Sequence, residues 1–187
     1  MLAPAFRFAL TALLLLSPAL AQTPATADAA IVARLEEQFA AIERILPSLR
    51  HVSVTTEEAG TRLMSEAWFV PGDSVETPVK VILSEAKGEE QREMTFWLDQ
   101  GHLFLVQEQI AIGSERTEFR RLYDGSRLAQ LQTRVTTASS DPPSGSVAFT
   151  PAELPPDAEH EGLTLEEIAL ETASQLSPVT VTNRPVR

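Results

Sequence analysis

The sequence predicts an α+β fold, in which an antiparallel meander of about six strands packs against one amphipathic helix near the N terminus and another near the C terminus. Three observations carry this reading. Between residues 61 and 137, six runs rich in Val, Ile, Leu, Phe, Trp and Thr follow one another, separated by turn signals too short for a crossover helix. The stretch MTFWLDQGHLFLVQ, residues 94 to 107, is echoed 25 positions later by FRRLYDGSRLAQLQ, residues 119 to 132, as expected of two similar hairpins. On either side of these runs the apolar residues recur at steps of three and four instead of two.

Taken in order, residues 1–21 read as an export signal: one cation at Arg7, an apolar run from Phe8 to Leu16, then Ser17-Pro18 and the small-x-small triplet Ala19-Leu20-Ala21. The apolar run is about half the ~20 residues that a membrane span requires. With no cysteine at the cleavage point, the expected mature protein is soluble, free of a lipid anchor, and periplasmic or secreted. Residues 22–138 then hold the first helix and the sheet. The helix places Ile31, Leu35, Phe39, Ile42, Ile45 with Leu46, and Leu49 on one stripe, with Asp28 as N-cap and Pro47 limiting its end.

The six strands are expected at Thr61 to Val70, Thr77 to Ala86, Glu90 to Leu98, His102 to Ile112, Arg116 to Tyr123 and Arg127 to Thr137. In Leu98-Asp99-Gln100-Gly101-His102 the glycine suits a three-residue hairpin loop, while Tyr123-Asp124-Gly125-Ser126 suits a shorter one. Alternation is impure. Met94, Phe96 and Leu98 fall on one face and Trp97 on the other, with Leu103 to Val106 divided between them, so each face needs some cover. Residues 139–161 form a connector with Pro142, Pro143, Pro151, Pro155 and Pro156. Residues 162–187 supply a second helix of the same domain and a loose tail; Thr164 and Glu167 form a capping box, and Leu165, Ile168, Ala169, Thr172 and Leu176 form the apolar stripe.

At the hairpins the chain resembles a group of exported bacterial proteins with no agreed activity. Their meanders carry the motif aromatic-aromatic-x-Asp-Asn-Gly-Lys-Leu. Phe96-Trp97-Leu98-Asp99-Gln100-Gly101-His102-Leu103 matches it well. The second copy, from Arg121 to Leu128, lacks the aromatic pair and has its glycine one place forward. The likeness spans residues 28 to 135 and implies architecture and export, with no functional residue to carry over.

Composition narrows the chemistry. The formal net charge is −11, and −12 once Arg7 leaves with the signal, a balance that repels nucleic acid and anionic membranes. The absence of cysteine removes disulfides, thiolate nucleophiles and thiolate metal sites. His51, His102 and His160 share no metal-ligand spacing, and there is no Gly-x-Ser-x-Gly elbow or phosphate-cradling glycine loop. No cofactor or metal is expected, and Glu57-Glu58, Glu89-Glu90 and Glu166-Glu167 read as solvated charge.

One constellation invites a binding role. Arg116, Arg120, Arg121, Arg127 and Arg134 crowd the last two strands, with Trp68, Trp97, Phe104, Phe119 and Tyr123 near the same sheet. Trp97, Phe104, Arg120, Arg121 and Tyr123 are the candidate ligand-binding residues. The competing reading pairs the arginines across strands with Glu108, Glu115 and Glu118 and puts the aromatics in the core. The functional expectation is a binding or interaction protein whose helices cover one face of the meander while the other receives a small molecule or protein segment. The alternatives are an assembly partner of another envelope protein and a hydrolase using His102 with dispersed carboxylates.

Overall fold

The computed structural model describes residues 29–71, 76–137, 148–154 and 158–177. The expected signal peptide, the Asp28 cap, most of the connector and the tail lie outside these residues. Helix α1 (Ala29–Ile45) continues into a 3₁₀ turn, Leu46–Ser48. Pro47 falls in that turn's first positions, where its missing N–H removes no helical bond. Leu35, Ile42 and Leu46 are buried, as the stripe requires, whereas Ile45 is 42% exposed.

The strands are β1 (Arg50–Glu58), β2 (Thr61–Val70), β3 (Thr77–Lys87), β4 (Glu90–Asp99), β5 (His102–Ile112), β6 (Glu115–Asp124), β7 (Arg127–Thr137) and β8 (Thr150–Pro151). All join one antiparallel sheet in chain order. The meander thus has eight strands where about six are expected. Strand β1 lies at the border with mostly exposed side chains, so it has no buried face to impose the apolar alternation by which the others are recognised. Strand β8 is two residues of the proline-rich connector pairing with Gln132 and Thr133.

A second correction concerns the turns. Asp99 pairs with His102, so the loop is the two residues Gln100 and Gly101, with φ of 51° and 85°. Two positive φ values make a type I′ turn, whose twist matches that of the flanking strands. The expected three-residue loop is replaced by an irregularity one step back, where Trp97 faces Leu105 and Leu98 faces Leu103, leaving Phe104 as the extra residue. The β6–β7 hairpin repeats this irregularity, with Leu122 facing Gln130, Tyr123 facing Leu128, and Ala129 extra. Between β2 and β3 the extra residue is Val79. Val79, Phe104 and Ala129 are 25 positions apart, so the repeat in the sequence is a repeat of bulges. Each bulge sets two consecutive side chains toward one face, as Phe104 and Leu105 do under α1.

The two helices do not share a face. Helix α1 covers Val79, Trp97, Phe104, Leu105 and Leu122. Helix α2 (Ala158–Leu176) covers the other side, over Ala67, Phe69, Val81, Phe96, Leu98, Val106, Tyr123 and Leu128. The expectation that both helices cap one face is therefore overturned, because the bulged strands are apolar on both sides at this end and each side needs its own cover. Helix α2 also begins before the expected capping box. Thr164 lies inside it, with its hydroxyl donating to the His160 carbonyl at 3.1 Å. The Glu166 carboxylate accepts from the Leu103 amide at 2.8 Å, tying the helix to β5.

The repeated aspartates have a purpose in this packing. Asp124 accepts from Arg34 at 2.6 Å and Asp99 from Gln38 at 2.8 Å. Arg34 and Gln38 are one helical turn apart, so equivalent hairpin ends meet successive turns of α1.

Candidate functional site

The five candidate residues do not converge. Arg120 and Arg121 are adjacent on β6, and adjacent strand residues point to opposite faces. Arg120 lies on the α1 side, where its guanidinium holds the Glu36 carboxylate through Nη2 at 2.8 Å and stands 5.4 Å over the Phe39 ring. Trp97 is on that side too. It is 4% exposed, its indole N–H donates to Glu43 at 2.7 Å, and its ring meets Phe39 edge-on at 5.4 Å. Lys80 bonds the same Glu43 oxygen at 3.0 Å while standing 5.0 Å over the Trp97 ring. Phe104 packs beside them, 4% exposed.

Arg121 and Tyr123 belong to the α2 side. Arg121 donates to Glu108 from both Nη atoms at 3.1 Å and lies 3.4 Å from Glu161 of α2. Glu108 also accepts from Arg92 Nε at 2.9 Å, which produces a buried chain of alternating charge from β4 through β5 and β6 to α2. Tyr123 is 1% exposed, and its hydroxyl has no hydrogen-bond partner. Burial drives its pKa well above the ordinary 10.0, the Glu161 charge pushes the same way, and Arg121 opposes. Gly162 of α2 presses on this ring, since a Cβ there would sit 2.8 Å from Tyr123 Cε1.

The cross-strand reading of the arginines is thus the one these contacts match at Glu108 and Glu118. Glu118, on the α1 side, accepts from Arg134 and from Gln107 and lies 3.5 Å from Arg116. Each of the five candidates is packed or paired within the chain, with the Tyr123 hydroxyl left without a hydrogen-bond partner. Period-two alternation already separates Arg120 from Arg121, a signal available in the sequence; the sealing of Trp97 and Phe104 by α1 was not.

Among the described residues, the surface left uncovered lies farther along the strands, because both helices cross the sheet at the end that carries the bulges. On the α2 side, residue pairing defines rows across the sheet. The row under the helix is Val52, Ala67, Val81, Phe96, Val106, Arg121, Leu131. The next is Val54, Ser65, Leu83, Met94, Glu108, Phe119, Thr133, and the one beyond is Thr56, Leu63, Glu85, Arg92, Ile110, Thr117, Val135. Val54 is 47% and Val135 53% exposed, while Leu63, Leu83, Ile110 and Phe119 are half-buried. Seven strands at ~4.8 Å spacing make this strip about 29 Å wide. The corresponding outer row on the α1 side is Thr55, Met64, Ser84, Glu93, Gln109, Glu118, Arg134, with one apolar member.

Other features offer less. His102 sits at a turn, 82% exposed and 3.9 Å from Glu166, and His51 stacks on Trp68 at 4.2 Å. A shallow depression on the outer surface of α2, between Leu163, Glu166, Leu170 and Ser174, has a single helix for its wall. Among the described residues no cluster of His, Asp and Glu is arranged to hold a metal, and no helix is long and apolar enough to cross a membrane. Compared with known proteins, the chain matches no family model, no curated protein and no solved structure.

Proposed function

We propose that the chain is an exported, non-catalytic binding protein whose ligand surface is the uncovered half of the α2 face, displaced from the Trp97 and Arg121 region by about two cross-strand rows. The observation that supports this is the contrast between the two outer faces. A sheet half that only has to be wetted is polar, as the α1 side is. The α2 side instead keeps Val54, Leu63, Leu83, Ile110, Phe119 and Val135 partly open to solvent. Covering a half-exposed apolar side chain is worth roughly 1 kcal/mol, so six together offset part of the cost of ordering a ligand. An elongated apolar molecule, or an extended apolar protein segment, lying across the strands meets these side chains and finds Glu85 and Arg92 in the same row for its polar groups.

The test is native mass spectrometry of the protein taken from its own periplasm, together with titration of an apolar fluorescent dye. Wild type is expected to carry a bound mass and to bind the dye. Ile110→Lys with Val135→Lys removes both, whereas Glu93→Gln with Gln109→Lys on the α1 side changes neither. A wild-type protein that carries nothing, with dye binding indifferent to Ile110→Lys, defeats the proposal.

A further inference from the structure

Strand β1 is one border of the sheet, and among the described residues no strand pairs with its outer side. The opposite border is managed differently: β7 receives two residues of β8, and the second is Pro151, which has no N–H to offer. Strand β1 lacks the proline, the lysine and the bulge that blunt an edge, its charges lying only at its two ends. Its sequence, RHVSVTTEE, contains no Pro, Gly or Lys, and it pairs with β2 over nine consecutive residue pairs with no shift of register. The β2–β3, β4–β5 and β6–β7 pairs are each bulged. What β1 offers is an unbroken strand edge of backbone donors and acceptors.

The order of its charges specifies what that edge fits. Cationic Arg50 and the imidazole donor His51 open the strand, and Glu57 and Glu58 close it. Set parallel to itself, β1 places like charges together at each end. Set antiparallel with Val54 opposite Val54, it places Arg50 against Glu58, His51 against Glu57, Val52 against Thr56 and Ser53 against Thr55. Opposite charges, hydroxyl pairs and β-branched side chains are favourable across strands, and Arg50 with Glu58, Ser53 with Thr55, Val52 with Thr56 and Val54 with itself fall in register at once. Glu76 engages Nε and Nη2 of Arg50, leaving Nη1 as the donor for Glu58 of the second copy. Val54, at the centre, is 47% exposed.

The geometry points to a homodimer in which β1 strands of two copies pair antiparallel about Val54, joining two eight-stranded sheets into one. A two-fold axis through such a pair is perpendicular to the sheet, so both α2 faces lie on the same side and their Val54 rows become continuous across the joint, while each Thr56 row meets the Val52 row under the other copy's helix. The helices of the two copies then cover opposite ends of the joined sheet.

The experiment is sedimentation velocity over a concentration series of the purified protein, paired with hydrogen exchange at low and high concentration. Wild type is expected to dimerise reversibly, and amides of residues 50–58 are expected to gain protection as the dimer fills. Glu58→Arg puts two symmetry-related like-charge pairs in place of two favourable ones and weakens the dimer about tenfold or more. Adding Arg50→Glu to that variant restores the pairing with its polarity reversed, provided circular dichroism shows both variants folded. A wild-type protein that stays monomeric throughout overturns the proposal. So does a dimer whose amides at 50–58 exchange no more slowly than the monomer's, a readout that needs no variant.

Discussion

Replacing Glu108 by alanine removes the anion at the centre of the buried charge chain. The Glu108 side chain is 5% exposed and serves two guanidinium groups, Arg121 at 10% and Arg92 at 22% exposure. Breaking a buried pair costs about 3–5 kcal/mol, chiefly because the surviving cation stays desolvated. Two details move the expectation to the lower end. Arg121 retains Glu161 at 3.4 Å, and Arg92 is open enough to turn toward water. The expected loss is therefore about 3 kcal/mol, or roughly 6–12 °C in Tm for a domain of this size. Glu118→Ala is the internal control, because Glu118 is equally buried but its cations Arg134 and Arg116 are 27% and 49% exposed, and it should lose about half as much. Urea unfolding followed by circular dichroism at neutral pH measures both, with an unchanged m-value showing that the same unfolding is being compared. If Glu108→Ala costs less than ~1 kcal/mol, or less than Glu118→Ala, the claim that desolvated arginine sets the penalty is wrong.

Further outcomes follow from the same contacts. Tyr123 is the sole tyrosine, and its folded pKa lies above the unfolded value of 10.0; its contribution is thus intact below pH 10 and is lost as pH rises further, with a limiting slope of about 1.4 kcal/mol per pH unit. Absorbance at the tyrosinate band should stay flat past pH 10 until the protein unfolds, and Tyr123→Phe should flatten the alkaline stability profile at little cost at pH 7, since the hydroxyl has no partner. Gly162→Ala gains ~1 kcal/mol of helix propensity but forces a methyl to 2.8 Å from the Tyr123 ring and 3.0 Å from the Ser126 carbonyl, an overpacking cost of about 1–3 kcal/mol, so thermal melts should show no net stabilisation. Leu35→Ala, at 2% exposure under α1, should cost about 2–5 kcal/mol, while Leu163→Ala, 56% exposed on α2, should stay within ~0.5 kcal/mol. Equal melts for these two would mean that α1 is not seated as described.

Much of the architecture is legible along the chain because its cause is local. Steps of three and four mark the residues that α1 and α2 bury, among them Leu35, Ile42, Leu165, Ala169 and Leu176. Turn residues place all six inner strands, β2 to β7, within one residue of their observed bounds. Strand β1 escapes this reading, since a border strand with both sides largely in water carries no alternation. The placement of the candidate site residues was illegible for the opposite reason. Trp97, Phe104 and Tyr123 are conspicuous in sequence as aromatics near arginines, yet aromatic area is what a core most needs, and each lies beneath a helix.

The amino-acid order by itself determines the element types, the antiparallel connectivity and the 25-residue hairpin repeat, because propensity, turn chemistry and periodicity act over a few neighbouring residues. Only the tertiary structure decides that α1 and α2 take opposite faces, that Asp99 and Asp124 anchor successive turns of one helix, and that neither helix covers the apolar strip from Val54 to Val135. Those outcomes depend on which surfaces meet across 30 to 100 residues of chain. The decisive quantity is area removed from water, and two amphipathic stripes of similar length do not announce which side of a sheet each will seal.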